Sequence, residues 1–176
     1  MNEENTLPKI SNYKSAIMLL LLVIFTVIAF VFILQERTKR APDFHAKIYP
    51  SMDETFHLNE NIGTPILINF WASWCVPCEV EFPHIQKIRE KYEKDDLIIF
   101  GINSFDLTED AINFINRLNV SFETGPDPNG EINDLYKITG LPVTIFIDKK
   151  GIIQEKKIGY IDEETLQEWI SKEIET

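Results

Sequence analysis

The apolar positions of this chain fall into two regimes. From Ala16 to Leu34 they are almost continuous, with Thr26 the only interruption. From residue 41 onward they come in short runs or recur at helical spacing, separated by polar and turn-forming residues. As a helix the first stretch spans roughly 28 Å, the thickness of a bilayer's hydrocarbon core. It is apolar on every face, unlike a helix that packs one side against a soluble core. A cleaved signal peptide and a buried core helix are the alternatives. The run is long for a signal segment, no Ala-x-Ala cleavage pattern follows it, and no cysteine ends it for lipid attachment. The pattern predicts an uncleaved membrane anchor over residues 15–34. A tail at 1–14 precedes it, a polar linker at 35–40 follows, and one domain occupies 41–176.

Within that domain Phe56-His57-Leu58 reads as a short edge strand and Asn59 to Gly63 as a turn. Ile66 to Phe70 and Leu97 to Ile102 read as buried strands. Between them Val76 to Glu93 has helical spacing, with Val80, Ile85, Ile88 and Tyr92 facing the core and Pro83 expected to kink the helix. Thr108 is placed to cap the next helix, ahead of Glu109 and Asp110, with Ala111, Phe114, Ile115 and Leu118 as its stripe. Asp127 to Gly130 is a turn signal, and Glu131 to Lys137 a short helix. Val143 to Ile147 and Ile152 to Ile158 read as strands of a hairpin through Asp148-Lys149-Lys150-Gly151. Asp162 caps a last helix carrying Leu166, Trp169 and Ile170. The order β–α–β–α–α–β–β–α predicts an α/β fold with a central mixed sheet flanked by helices.

A net charge of −11, with no basic patch in the soluble part, argues against nucleic acid as a partner. Charge also bears on topology. Lys9 and Lys14 precede the apolar run, whereas Arg37, Lys39 and Arg40 follow it. That balance slightly favours a cytoplasmic domain. The cysteine chemistry pulls the other way.

The only two cysteines of the chain stand in Trp74-Cys75-Val76-Pro77-Cys78, between a strand and a helix. A thiol at such a junction lies where backbone N–H groups and the helix dipole favour its thiolate. A second thiol three residues on can close a disulfide with it, which points to reversible dithiol–disulfide exchange. A metal is the first alternative. Structural zinc wants four ligands, and His45, His57 and His84 stand in no ligand spacing with the pair, although His84 and Cys78 could face one another in a copper-type site. A structural bridge is the second, but closing so short a loop removes little chain entropy. No other metal or organic cofactor is indicated.

With these residues in hand, the chain resembles the thioredoxin superfamily, and within it the TlpA/ResA group of membrane-anchored extracytoplasmic thiol–disulfide oxidoreductases. The resemblance covers residue 41 to about 174. It rests on Ala41-Pro42-Asp43-Phe44, on Asn69-Phe70-Trp71-Ala72-Ser73-Trp74-Cys75-Val76-Pro77-Cys78, on Glu81-Phe82-Pro83, on Gly140-Leu141-Pro142-Val143-Thr144 and on the Asp148–Gly151 hairpin. It implies a thioredoxin fold in which Phe105 to Pro126 is an inserted helix–strand unit. It implies that Cys75 and Cys78 form a redox-active disulfide, and that Pro142 is a cis-proline facing it. Trp74, Leu141 and Pro142 are then the candidates for holding substrate. Asn69 stands where cytosolic thioredoxins carry a buried, proton-handling aspartate. An amide cannot titrate, so the role is expected to pass to Glu81, one turn beyond Cys78, where the group carries a carboxylate. Val76 departs from the charged residue that some members place between the cysteines.

The resemblance further implies reduction of disulfide-bearing proteins, such as the paired cysteines of an apocytochrome c during cytochrome c maturation. Electrons are then expected from a membrane donor of the CcdA or DsbD type, and the domain on the outer face of a bacterial cytoplasmic membrane. A disulfide-forming oxidase or isomerase, and a non-enzymatic copper or haem chaperone, remain the rival functions.

Overall fold

The computed structural model describes residues 11–174, and the chain divides into two compact units between Lys39 and Arg40. The first unit is helix α1, Ser11–Lys39. Residues 15–34 of it are long and apolar enough to cross a membrane, and its large apolar side chains from Ile17 to Leu34 are all exposed. The helix runs on through the stretch read as a linker. The first ten residues of the expected tail, Lys9 among them, lie outside the described residues, as do residues 175 and 176.

The second unit starts with an antiparallel ribbon of β1 (His45–Lys47) and β2 (Thr55–His57). Then follow β3 (Ile66–Trp71), α2 (Val76–Lys91), β4 (Ile98–Ser104), α3 (Thr108–Leu118), β5 (Glu123–Asp127), α4 (Glu131–Leu135), β6 (Val143–Ile147), β7 (Ile153–Ile158) and α5 (Glu163–Ile174). The central sheet has the order β5-β4-β3-β6-β7. β3, β4 and β5 run parallel, and β6 and β7 run antiparallel to their neighbours. This is the mixed sheet of a thioredoxin fold, with α3 and β5 as the inserted unit.

β3 and β4 are buried along their whole length, which explains their unbroken apolar runs. Alternation along β3 sends Ile66, Ile68 and Phe70 to one face, where they pack with Phe44, Phe56 and Tyr136. Leu67 and Trp71 go to the other face, with Phe82 and Ile85 of α2, Phe114 of α3 and Leu166 and Ile170 of α5. Asn69 shares the parity of Leu67 and Trp71. A polar side chain in mid-strand is thereby aimed at the underside of α2.

Several local expectations change. Val80 is exposed, and the buried stripe of α2 is Cys78, Glu81, Phe82, Ile85 and Ile88. The stripe starts from the second cysteine, so it runs through positions three and four beyond it and leaves Val80 outside. Helix α2 also continues through Pro83 without interruption. Thr108 opens α3 but makes no cap: the N-cap position is Leu107, and no side chain caps the helix. Phe56 and His57 pair in the β1–β2 ribbon, separate from the central sheet.

Strand β5 was legible only through the resemblance, because Glu-Thr-Gly-Pro-Asp lacks the composition of a strand. Its glycine has a packing reason. A Cβ on Gly125 would lie 1.9 Å from the carbonyl oxygen of Lys47, so only glycine lets β1 come this close. At the far edge, Asp148 Oδ1 accepts from the Lys150 and Ile152 N–H groups and closes the β6–β7 hairpin as expected. Asp162 Oδ1 caps α5 through the Thr165 N–H at 2.9 Å.

Candidate functional site

The site is built where β3 runs out. Four residues after it, Cys75 is the N-cap of α2, with Pro77 in the first turn, where a missing N–H costs nothing. The Cys75 N–H donates to Ala72 O at 3.1 Å, which folds the turn tightly onto the strand end. The Cys78 N–H lies 3.3 Å from Cys75 Sγ and 3.1 Å from Cys75 O. The Cys75 sulfur therefore faces a backbone donor at the positive end of a 16-residue helix, the setting that stabilises a thiolate. The two cysteines are joined as a disulfide, with their Cα atoms 5.3 Å apart. Cys75 keeps 5% of its surface exposed and Cys78 none, so an incoming group can reach only the first sulfur.

One turn beyond Cys78, Glu81 is wholly buried between α2 and the sheet. Its Oε1 accepts from Asn69 Nδ2 at 2.7 Å, and its Oε2 from the Ile161 N–H at 3.2 Å. Asn69 Nδ2 also donates to Thr144 Oγ1 at 3.0 Å. Burial pushes the Glu81 carboxyl up to about 7, against the opposing pull of those two hydrogen bonds. Glu79, two residues earlier, has the opposite setting. It lies at the surface, and its pairing with the Arg117 guanidinium holds its carboxyl below the ordinary range. Two glutamates of one helix are thus pushed in opposite directions, the exposed Glu79 down and the buried Glu81 up towards neutrality.

The loops around Cys75 are fixed by a residue that the sequence reading passed over. Asp106 accepts from the Ser73 N–H at 2.6 Å, from Ser73 Oγ at 2.9 Å, from Asn103 Nδ2 at 2.9 Å and from the Leu107 N–H at 2.9 Å. One carboxylate therefore ties the turn before Cys75 to the end of β4. Trp74 Nε1 reaches Phe105 O at 3.3 Å across the same junction. The only sequence signal for this clasp is the polar break between β4 and α3.

The Leu141–Pro142 bond is cis, as the resemblance implied. Val143 pairs with Phe70, so Pro142 stands beside the end of β3, at the start of the cysteine turn. Pro142 itself is buried, and its carbonyl accepts from the Gly159 N–H at 2.8 Å. Leu141, Trp74, Phe105 and Gly140 help line a cavity of about 190 Å³. Trp74, Val76, Phe105 and Leu107 all expose apolar surface on the segments flanking Cys75. A second cis bond, Tyr49–Pro50, was not anticipated. His84, weighed above as a metal ligand, shares a 2.9 Å hydrogen bond between its Nε2 and the Tyr160 hydroxyl. Among the described residues no three His, Cys, Asp or Glu side chains gather as a metal site.

Comparison with known proteins agrees with this geometry. The family model described as AhpC/TSA matches residues 38–156. The chain is similar to the thiol-disulfide oxidoreductase ResA of Oceanobacillus iheyensis, with 34% identity over 168 residues, 90% of this chain and 86% of that one. Against the ResA of Bacillus thuringiensis subsp. konkukian identity is 33% over 136 residues, 76% of each chain. Among solved structures, a putative thiol:disulfide interchange protein DsbE from Chlorobium tepidum superposes with a TM-score of 0.71. It has 28% identity and covers 77% of this chain and 96% of its own. StoA from Bacillus subtilis gives 0.64 at 27% identity, covering 74% of this chain and 98% of its own.

The buried carboxyl predicts a signature in stability. Glu81 ordinarily titrates at 4.5 and in the folded, oxidised protein at about 7. A raised carboxyl favours the protonated folded form, so its contribution is full below 4.5 and is lost as pH rises through 7. A rise from 4.5 to about 7 amounts to about 3 kcal/mol. Denaturant unfolding of the oxidised protein should show wild type losing about that much relative to Glu81→Gln between pH 4.5 and 7. A pH-independent difference between the two would mean that Glu81 ionises normally.

Proposed function

The chain belongs to the AhpC/TSA family and is a thiol–disulfide oxidoreductase; on that premise we propose that it is a membrane-anchored reductase of protein disulfides outside the cytoplasm. One observation carries the reading: a reachable sulfur at a helix N-terminus, a buried sulfur behind it, and a neutral-range carboxyl one turn beyond.

In the reduced enzyme Cys75 is the attacking thiolate, stabilised by the start of α2. Its sulfur displaces one sulfur of the substrate disulfide, forming a mixed disulfide and releasing a substrate thiolate. Glu81 takes the proton of Cys78, and the Cys78 thiolate then attacks Cys75 Sγ. The second substrate thiolate leaves, and the enzyme is left with the Cys75–Cys78 disulfide. Two electrons have passed to the substrate, whose two thiols take up the protons. Trp74, Leu141 and Pro142 hold the substrate strand beside the disulfide, in an extended pose. The apolar side chains around Cys75 and the cavity beneath Trp74 and Leu141 support that docking.

Two electrons must return to the disulfide before the next cycle. A membrane donor of the CcdA or DsbD type supplies them in this reading. The substrate class is the cysteine pair of an apocytochrome c, as the resemblance to the TlpA/ResA group implies. Helix α1 anchors the domain in the cytoplasmic membrane of a bacterium. The outer face is favoured because a dithiol domain working there needs tethering. The domain also carries no stray thiol that an oxidising environment would capture. Arg37, Lys39 and Arg40 weigh the other way, which makes the topology the first thing to test.

Two outcomes are expected. Cys78→Ser should accumulate mixed disulfides with partner proteins on non-reducing gels, and Cys75→Ser should not. The reverse pattern would exchange the roles of the two cysteines. Protease added to intact protoplasts should remove residues 41–176 and spare the anchor. Digestion only after lysis would place the domain in the cytoplasm and end the extracytoplasmic reading.

A further inference from the structure

Asn69 has a feature that the reaction above does not use. Its side chain is fully buried, both of its amide hydrogens are engaged, and its Oδ1 has no partner. A buried carbonyl oxygen left unpaired is costly in an otherwise satisfied network. It sits on the residue that touches Glu81, a buried carboxyl held near neutrality between two N–H donors.

The two donors differ in what they can do when Glu81 gains a proton. The Ile161 N–H is backbone and can only donate, so Oε2 must remain an acceptor. With the proton on Oε1, which faces Asn69 Nδ2 at 2.7 Å, the acid keeps its better acceptor, the carbonyl oxygen, for the Ile161 N–H. At Oε1 an amide N–H would then confront a carboxyl O–H, donor against donor. A half-turn of the Asn69 amide removes the conflict. It exchanges two ends of nearly equal size and brings Oδ1 to the place of Nδ2. Oδ1 then accepts from Glu81 Oε1–H. It also accepts from the Thr144 hydroxyl, which can donate as readily as it accepts. Each orientation makes two hydrogen bonds and leaves one end of the amide without a partner. The charge on Glu81 decides between them.

We propose that the Asn69 amide turns over with the protonation state of Glu81, donating to the carboxylate and accepting from the carboxylic acid. Asn69 is thus a positioning residue that keeps Glu81 in one place through a proton-transfer cycle. An aspartate there could not do this without placing a second negative charge against Glu81, and a leucine could serve neither state. The elements around Glu81 leave the amide in control. β3 and β6 present only the neutral Asn69 and Thr144. The cysteine pair is joined as a disulfide and carries no titrating thiol; the titratable groups on the surrounding elements are His84 on α2, Tyr160 and Asp162 before α5, and Lys157 on β7. None of these is among the influences that move Glu81. The inference rests on the base role of Glu81 only for its catalytic meaning.

The test is nuclear magnetic resonance on the oxidised full-length chain in lipid nanodiscs, labelled with 15N and 13C, from pH 5 to 9. The carboxyl carbon of Glu81 reports its protonation, and the side-chain NH2 of Asn69 reports the amide. Above the Glu81 midpoint the NH2 should show cross-relaxation to the Thr144 side chain. Below it those peaks should be lost, and the 15N shift of the amide should move with the same midpoint. In Glu81→Gln the amide should be independent of pH. An Asn69 signal that stays constant while Glu81 titrates overturns the inference, even if Glu81 serves as the base. An amide that turns with Glu81, in a protein whose turnover ignores Glu81→Gln, upholds the inference and removes the base role instead.

Discussion

The hydrogen bond between Asn69 of β3 and Glu81 of α2 is the constraint on which the site depends. It crosses the interior between the central strand and the cysteine helix, where both side chains are wholly buried. An ionised carboxylate there is expensive unless donors surround it. The fold supplies two, one from the strand and one from the segment before α5, and burial still pushes the carboxyl up to about 7. The result is a group that both holds and releases a proton near neutrality, one turn from a thiol that must lose one. Stability and chemistry are coupled here: the arrangement that suits proton transfer weakens the folded, oxidised state as Glu81 ionises.

The division between the cysteines follows from the same helix. Cys75 is at its cap, near solvent and facing a backbone donor, and Cys78 is the first member of the buried stripe that continues through Glu81 and Phe82. The outer sulfur is positioned by the turn that Asp106 ties to β4, and the inner one by the packing of α2 on the sheet. The N-terminal apolar helix and the redox domain are separate units of the chain, and in the proposed function the first only fixes where the second works.

Much of this was legible from the sequence, because the strongest signals are local. The runs at Ile66 and Leu97 could only be buried strands, and the Cys-x-x-Cys turn between strand and helix announced the chemistry. The inner face of α2 was misread at Val80, because an apolar residue exposed on a helix looks like core in the sequence. Glu81 and Asn69 carry no pattern of their own. The resemblance singled them out, but nothing in one dimension shows an amide in β3 meeting a carboxyl twelve residues later. Asp106 was missed for the same reason, since its partners lie on the turn before Cys75 and at the end of β4. Strand β5 escaped direct reading because its glycine serves contact with β1 and its proline breaks strand composition.

The central claim is that Glu81 removes the proton of Cys78. It is tested most directly by the rate at which Cys78 resolves a mixed disulfide preformed between Cys75 and a small thiol. That rate should be followed by stopped flow across the pH range for wild type, Glu81→Gln and Glu79→Gln. The account predicts that Glu81→Gln slows resolution at neutral pH by a factor on the order of a hundred and shifts the pH profile, while Glu79→Gln leaves both almost unchanged. Equal and small effects of the two substitutions would contradict it, and would leave Glu81 a buried structural carboxyl.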